Sequence, residues 1–223
     1  MCFSATASFT AAAVMGGVGL ATFKISKNKD QRYLASVPFL FAWQQLSEAW
    51  VWISIRDEQW HPYQHFFTLC FLFFAWVVWP ILIPLSFYKI EPNAIRKLWC
   101  KRLVYVGICS AAYASFNMLM KYPVPDVATF HIVYTMEKLY QHDLFFVPHQ
   151  IVYVLSTVLP MFLSTLKGVK FLAIVNFIAL IFCFYLFQLA LPSTWCFFAA
   201  FISAIIYWII KQVNSNQSLS PQS

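Results

Sequence analysis

Charge is scarce along this chain. Only 10% of its 223 residues are Asp, Glu, Lys or Arg, against about 25% in a typical soluble domain. The shortage excludes a water-facing surface over most of the molecule. With 61% of residues hydrophobic, lipid is the expected solvent. The six cysteines, at 2, 70, 100, 109, 183 and 196, include no CxxC pair, so zinc-ribbon and thioredoxin-like chemistry have no support. The N-terminus has no basic n-region and its positive charges follow the apolar run, so it does not read as a secretory signal. No lipoprotein-type apolar stretch precedes Cys2, which argues against lipidation there. No internal repeat stands out, which weakens an inverted-repeat transporter. The net charge of +7 sits in short loops between apolar runs. That is a membrane-orienting distribution, so no nucleic-acid partner is expected.

What the chain does have is apolar length. Seven segments, near 4–23, 34–54, 66–88, 101–120, 149–166, 170–191 and 194–211, approach the span of a hydrocarbon core of roughly 30 Å. Polar or proline-bearing breaks separate them. The expectation is an all-α, polytopic integral membrane protein with seven transmembrane helices. One domain would cover residues 1–212, and the Asn/Ser/Gln-rich residues 213–223 would form a disordered cytoplasmic tail.

Charge orients the bundle. With the N-terminus outside, the inner loops hold Lys24, Lys27, Lys29, Arg32, Lys89, Arg96, Lys97, Lys101, Arg102, Lys167, Lys170 and Lys211, twelve of the 15 basic residues. The outside keeps Arg56, Lys121 and Lys138. The positive-inside rule therefore gives N-out, C-in. Tryptophans near segment ends, such as Trp52, Trp60, Trp99 and Trp195, suit the interfacial belt.

Within the segments, Ala12, Ala13, Gly16, Gly17 and Gly19 would let the first helix pack closely inside the bundle. Pro80, Pro84 and Pro160 should kink their helices and free carbonyls that neighbours must satisfy. The outer loop 122–148 is long, and Val127–Leu139 could form a short interfacial helix, with Ile132, Met136 and Leu139 on one face and His131, Thr135 and Lys138 on the other.

Polar groups inside the segments mark the candidate site. Glu48 lies about 9 Å below the outer end of the second helix, at 1.5 Å per residue. A carboxylate at that depth faces the bundle interior, a partner or water. Gln44 and Gln45 precede it by four and three residues, so all three can share a face. Together they make a ligand site or a hydrogen-bonded network joining helices.

All five histidines fall on the outer side. His61 and His65 sit four apart at the start of the third helix, a usable metal-ligand pair. His131 and His142 flank the outer loop helix, and His149 opens the fifth helix with Tyr153 one turn deeper. Imidazole plus carboxylate favours zinc or a similar divalent ion. His61, His65, His142 and His149 are the candidate ligands, and Glu48 would be a ligand or the general base acting on metal-bound water. That chemistry would suit a hydrolase acting on a lipid or small amphiphile. A transporter or sensor binding a cation or small solute at Glu48, Gln44 and Gln45 is the second reading, and a structural protein with a satisfied polar core the third. Cys2 is open to three roles beside that of an inert thiol: a disulfide with Cys196, a metal ligand, or a thiol beside a free amine.

Two stretches are distinctive: the opening Met1-Cys2-Phe3-Ser4-Ala5-Thr6-Ala7-Ser8-Phe9, and Phe39-Leu40-Phe41-Ala42-Trp43-Gln44-Gln45-Leu46-Ser47-Glu48-Ala49-Trp50-Val51-Trp52. They resemble an uncharacterised bacterial family of multi-helix membrane proteins with that opening and a Gln-Gln-x-x-Glu-Gly signature in the second helix. Here Ala49 stands where the signature has glycine. The resemblance covers about the first 55 residues by motif. It implies emphasis on Cys2, Gln44, Gln45 and Glu48 and no mechanism. A retinal Schiff base would need a lysine in the middle of the last helix, where only Lys211 occurs at the inner end. The zinc hydrolases of the ceramidase and adiponectin-receptor type place a histidine pair in the last helix, which has none here.

Overall fold

A computed structural model describes residues 4–128, 131–135, 146–186, 191–195 and 198–219. The described chain is mostly helical. In order it runs α1 (Ala5–Ile25), α2 (Lys29–Ala35), α3 (Val37–Arg56), a 3-10 turn (His61–Tyr63), α4 (Gln64–Leu72), a π-helical stretch (Phe73–Val78), α5 (Trp79–Ile90), α6 (Ala94–Met120), β1 (Val124–Ala128), β2 (His131–Thr135), α7 (Phe146–Leu163), α8 (Val169–Leu186), α9 (Leu191–Trp195) and α10 (Ala199–Leu219). Among the described residues four stretches are long and apolar enough to cross a membrane: Ala5–Ile25, His61–Ile90, Ala94–Met120 and Val169–Leu186. Pro148–Leu163 is apolar but shorter. By length and composition this is a membrane protein.

Helix starts follow local chemistry. Ser4 caps α1 by accepting from the Ala7 N–H, Asn28 caps α2 at Gln31, and Asn93 caps α6 at Arg96. Each side chain satisfies a donor that the first helical turn leaves open. α1 buries Ser8, Ala11, Met15, Gly19 and Thr22, one stripe at helical spacing, and packs against α3. Of the small residues expected to pack, Gly19 makes the close approach, while Ala13 and Gly17 face outward. A Cβ on Gly19 would lie 2.7 Å from the Phe39 backbone nitrogen.

The segment His61–Ile90 is one helix broken in register by its prolines. The Trp79 N–H donates to the Phe74 carbonyl, five residues back. In that register the Ala75 carbonyl would next accept from Pro80, which has no N–H. The Tyr153 hydroxyl of α7 donates to the Ala75 carbonyl instead. One turn on, the α-helical partner of the Pro80 carbonyl is Pro84, again without an N–H. Gly107 of α6 presses against this carbonyl: a Cβ there would lie 1.7 Å from the Pro80 oxygen. Both freed carbonyls thus meet a neighbouring helix.

The outer loop differs from expectation. Where a helix was expected over Val127–Leu139, the described residues pair as an antiparallel hairpin, Val124 opposite Thr135 and Val127 opposite Ile132. His131–Ile132–Val133–Tyr134–Thr135 is rich in β-branched and aromatic residues, which favour a strand. Ile132 and Tyr134 share one face and pack onto Trp52, Phe71 and Met118, Tyr134 stacking on Phe71 at 5.0 Å between ring centroids, and His131 at the start of the strand is buried as well. The tail also differs. α10 continues through Leu219, well into the stretch expected to be disordered. Asn214 anchors it, accepting from the Gln31 amide at 2.9 Å and donating to the Ile25 carbonyl at 2.7 Å.

The hairpin carries a pH-dependent contribution. His131 is buried, and burial lowers its pKa from the ordinary value of 6.5. The unfolded segment therefore binds a proton more readily than the folded one. Hairpin stability is full above pH 6.5 and falls with acidification below it, by up to about 1.4 kcal/mol per pH unit until the folded-state pKa is passed. Amide hydrogen exchange in Val124–Thr135, corrected for the intrinsic rate, should report faster opening on acidification. His131→Asn should remove that dependence, and an unchanged profile would refute the assignment.

Candidate functional site

Glu48 sits on α3 with no solvent exposure. The Gln45 amide donates to its Oε2 at 3.0 Å, and the Ser193 hydroxyl of α9 donates to its Oε1. Gln44 points elsewhere. Its Oε1 accepts from the Trp79 indole N–H at 2.7 Å, across to α5. The three-residue face expected from spacing is therefore divided: Gln45 joins Glu48, while Gln44 belongs to a separate chamber. Ser193 went unrecognised in the sequence because Leu191-Pro192-Ser193 reads there only as a break between helices.

The histidines are spread over separate elements. His61 is exposed and its ring lies 3.3 Å from the Ser54 carbonyl. His65 packs against Tyr122, with ring centroids 5.1 Å apart. His149 lies on α7, its Nε2 3.2 Å from the Ser110 carbonyl and 3.1 Å from the Ser110 hydroxyl. Among the described residues no three His, Cys, Asp or Glu side chains gather as a group able to hold a metal ion. The metal set of His61, His65 and His149 is therefore not assembled here: each ring is turned to a local carbonyl, hydroxyl or aromatic partner. His142, Cys2 and Cys196 lie outside the described residues.

A chamber of about 1050 Å³ lies within the bundle. That is at the top of the roughly 300–1,000 Å³ range of small-molecule pockets. Its walls come from α2, α3, the π-helical stretch, α5, α6, α7, α8, α9 and α10, with β2 at one end. Tyr153 and Gln44 both face it, while Glu48, Gln45 and Ser193 do not line it. Tyr153, expected as a polar-site residue, thus has two roles: it holds the Ala75 carbonyl and forms part of the wall.

A second buried carboxylate escaped the sequence reading. Glu91, 2% exposed, receives the Ser164 hydroxyl at 2.8 Å, the Thr165 N–H at 3.0 Å, the Thr165 hydroxyl, and the Asn93 N–H at 3.2 Å. It fastens the α5–α6 turn to the α7–α8 turn. Nearby, Arg96 donates to the Leu163 carbonyl at 2.8 Å. In the sequence Glu91 belongs to a polar break before Pro92, and Ser164 and Thr165, its partners from the other turn, are more than 70 residues away.

A family model described as a family of unknown function, DUF6629, matches residues 1–220. The chain belongs to that family. Membership extends over nearly the whole chain, whereas the motif resemblance rests on its first quarter. No curated protein and no solved structure matches the chain. Within the DUF6629 family, then, the chemistry of this member has to be argued from its own residues.

Proposed function

We propose that this DUF6629 member is a seven-span membrane protein, N-out and C-in, that binds one amphiphilic molecule within its helix bundle. The chamber of about 1050 Å³ carries the reading. A bundle that needed only to be stable would close such a space, because packed interiors keep few voids larger than a water molecule.

The orientation draws on charge and on the contacts between helix ends. Twelve of 15 basic residues fall at the ends assigned to the inside. Asn214 ties the α10 end to the α1–α2 turn, and Glu91 ties the α5–α6 turn to the α7–α8 turn. Lys89 lies over the Tyr33 ring at 5.7 Å and Arg102 over Trp99 at 4.7 Å. Basic and aromatic side chains together suit an inner-leaflet interface. A bacterial cytoplasmic membrane fits this arrangement.

In this reading Glu48, Gln45 and Ser193 form a polar joint between α3 and α9 rather than a catalytic or cation site. The carboxyl is enclosed and lies off the chamber wall. The hydrolase alternative, with zinc on the histidines and Glu48 as base, draws no support from the described ligands.

The test is chamber filling. Ala114 is 3% exposed and lines the chamber from α6. Native mass spectrometry of wild type, purified in its lipid environment, should show one co-purifying amphiphile. Ala114→Phe should lose it by at least about tenfold, or 1.4 kcal/mol. Equal occupancy in both proteins would end the chamber reading. Reporter fusions after Asn93 and Lys167 should score inside, and after Glu58 outside.

A further inference from the structure

Resting on the chamber reading, we infer that the occupant is a long-chain amphiphile with an uncharged polar head, held head-outward, and that it enters from the lipid between α7 and α8. Three properties of the chamber point to this.

The first is its polarity gradient. Tyr113, Asn117, Thr135, His149 and Gln150 line the end near the hairpin. Leu34, Val37, Ile83, Phe87, Leu172 and Ile206 line the other end, and the Asn176 amide that also reaches the wall beside Met161 is engaged by the Trp195 indole N–H and the Met161 sulfur. An amphiphile placed head-outward matches both; a compact polar solute leaves the apolar end unused.

The second is charge. Among the described residues no Asp, Glu, Lys or Arg lines the chamber. A phosphate, carboxylate or ammonium head would leave water without an oppositely charged side chain to meet it, which costs several kcal/mol. Hydroxyl, carbonyl and amide heads carry no such penalty. They match the groups present: the Asn117 side chain, whose NH2 donates to the Tyr113 carbonyl at 2.9 Å, and the amide of Gln150.

The third is shape and access. Wall residues on α7 run from His149 to Met161. Twelve steps at 1.5 Å give about 18 Å of depth, more than half a hydrocarbon core of about 30 Å. Such depth takes a long chain. Several wall residues are also exposed on the outer surface: Ile151 and Leu155 on α7, and Ile181, Phe184 and Tyr185 on α8. They belong to the start of α7 and the end of α8, the halves furthest from the α7–α8 turn. A wall residue that is also surface marks a mouth, and this mouth is lined by side chains at home in lipid.

The test uses full-length wild type and three probes with the same acyl chain: monooleoylglycerol, oleate and oleoyl lysophosphatidylglycerol. Binding is read by native mass spectrometry at alkaline pH, where oleate is ionised. Monooleoylglycerol should bind one per chain, at least about tenfold tighter than either anion. Asn117→Leu should weaken it without changing the preferred chain length. Leu172→Trp should shift preference toward a lauroyl chain. Equal or tighter binding of oleate or the lysophospholipid would overturn the uncharged-head inference and leave the chamber reading standing. A lauroyl preference produced by Asn117→Leu instead of Leu172→Trp would overturn the head-outward placement. Binding of none of the three probes, with Ala114→Phe indistinguishable from wild type, would overturn the chamber reading and this inference with it.

Discussion

Gly107→Ala should lose most of the folded protein. The added methyl carbon would sit 1.7 Å from the Pro80 carbonyl oxygen and 2.6 Å from its carbon. The obstacle is backbone, so no side-chain rotation relieves it. α6 must move off the proline-broken helix, and the Pro80 carbonyl, whose intrahelical partner would be Pro84, then loses the α6 backbone packed against it. Overpacking typically costs 1–3 kcal/mol where neighbours can yield. Here about 3 kcal/mol or more is expected, because the neighbour is fixed and a carbonyl is stranded in an apolar setting. Thermal unfolding of detergent-purified protein, followed by size-exclusion chromatography, measures it. Gly17→Ala is the control: a Cβ at Gly17 meets nothing within 4 Å. That exchange should be neutral or stabilising by up to about 1 kcal/mol through helix propensity. Matching melting curves for Gly107→Ala and wild type would refute the close approach of α6 to Pro80.

Hydropathy placed the long helices close to where they lie, because a long apolar segment satisfies its backbone most simply as a helix, whereas the short α2 and α9 gave no such signal. Prolines at 80 and 84 announced a break, since they remove N–H groups wherever they fall. Which side chain would answer the freed carbonyl was not legible. Tyr153 is 78 residues from Ala75, and no local pattern links them. The hairpin was misjudged for a different reason. Ile132 and the apolar residues after it fit a helical stripe as well as an alternation, and the deciding factor was a tertiary surface, Trp52 with Phe71, onto which a strand could lay Ile132 and Tyr134. Glu48 was legible as a buried carboxyl by its depth in an apolar helix. Its partner Ser193 was not, because sequence gives depth along a helix and not which neighbour meets it. Glu91 was overlooked because a glutamate beside proline and asparagine reads as solvated loop until the Ser164–Thr165 turn is brought against it.

Glu48→Ala is the second substitution with a large expected effect, and it separates a joint from an active centre. Removing the carboxyl takes the acceptor from the Ser193 hydroxyl and from the Gln45 amide, both fully buried. Each stranded buried donor costs roughly 1–3 kcal/mol, so a loss of about 3 kcal/mol is expected. Glu48→Gln keeps an oxygen for one donor and shape for the other, and should cost about 1 kcal/mol. Stability should therefore rank wild type above Glu48→Gln above Glu48→Ala. Ser193→Ala should couple to the Glu48 changes, since partners in one network do not add. The double variant Glu48→Ala with Ser193→Ala should recover part of the loss, because the hydroxyl left without its acceptor is gone. A carboxyl used on a passing substrate or ion predicts a different pattern. Glu48→Gln would then abolish function at near wild-type stability, and Ser193→Ala would leave melting unchanged. Melting curves of the four variants decide between these patterns before any substrate is known. Glu48→Ala melting with wild type would remove the joint from the fold and return Glu48 to the list of functional groups.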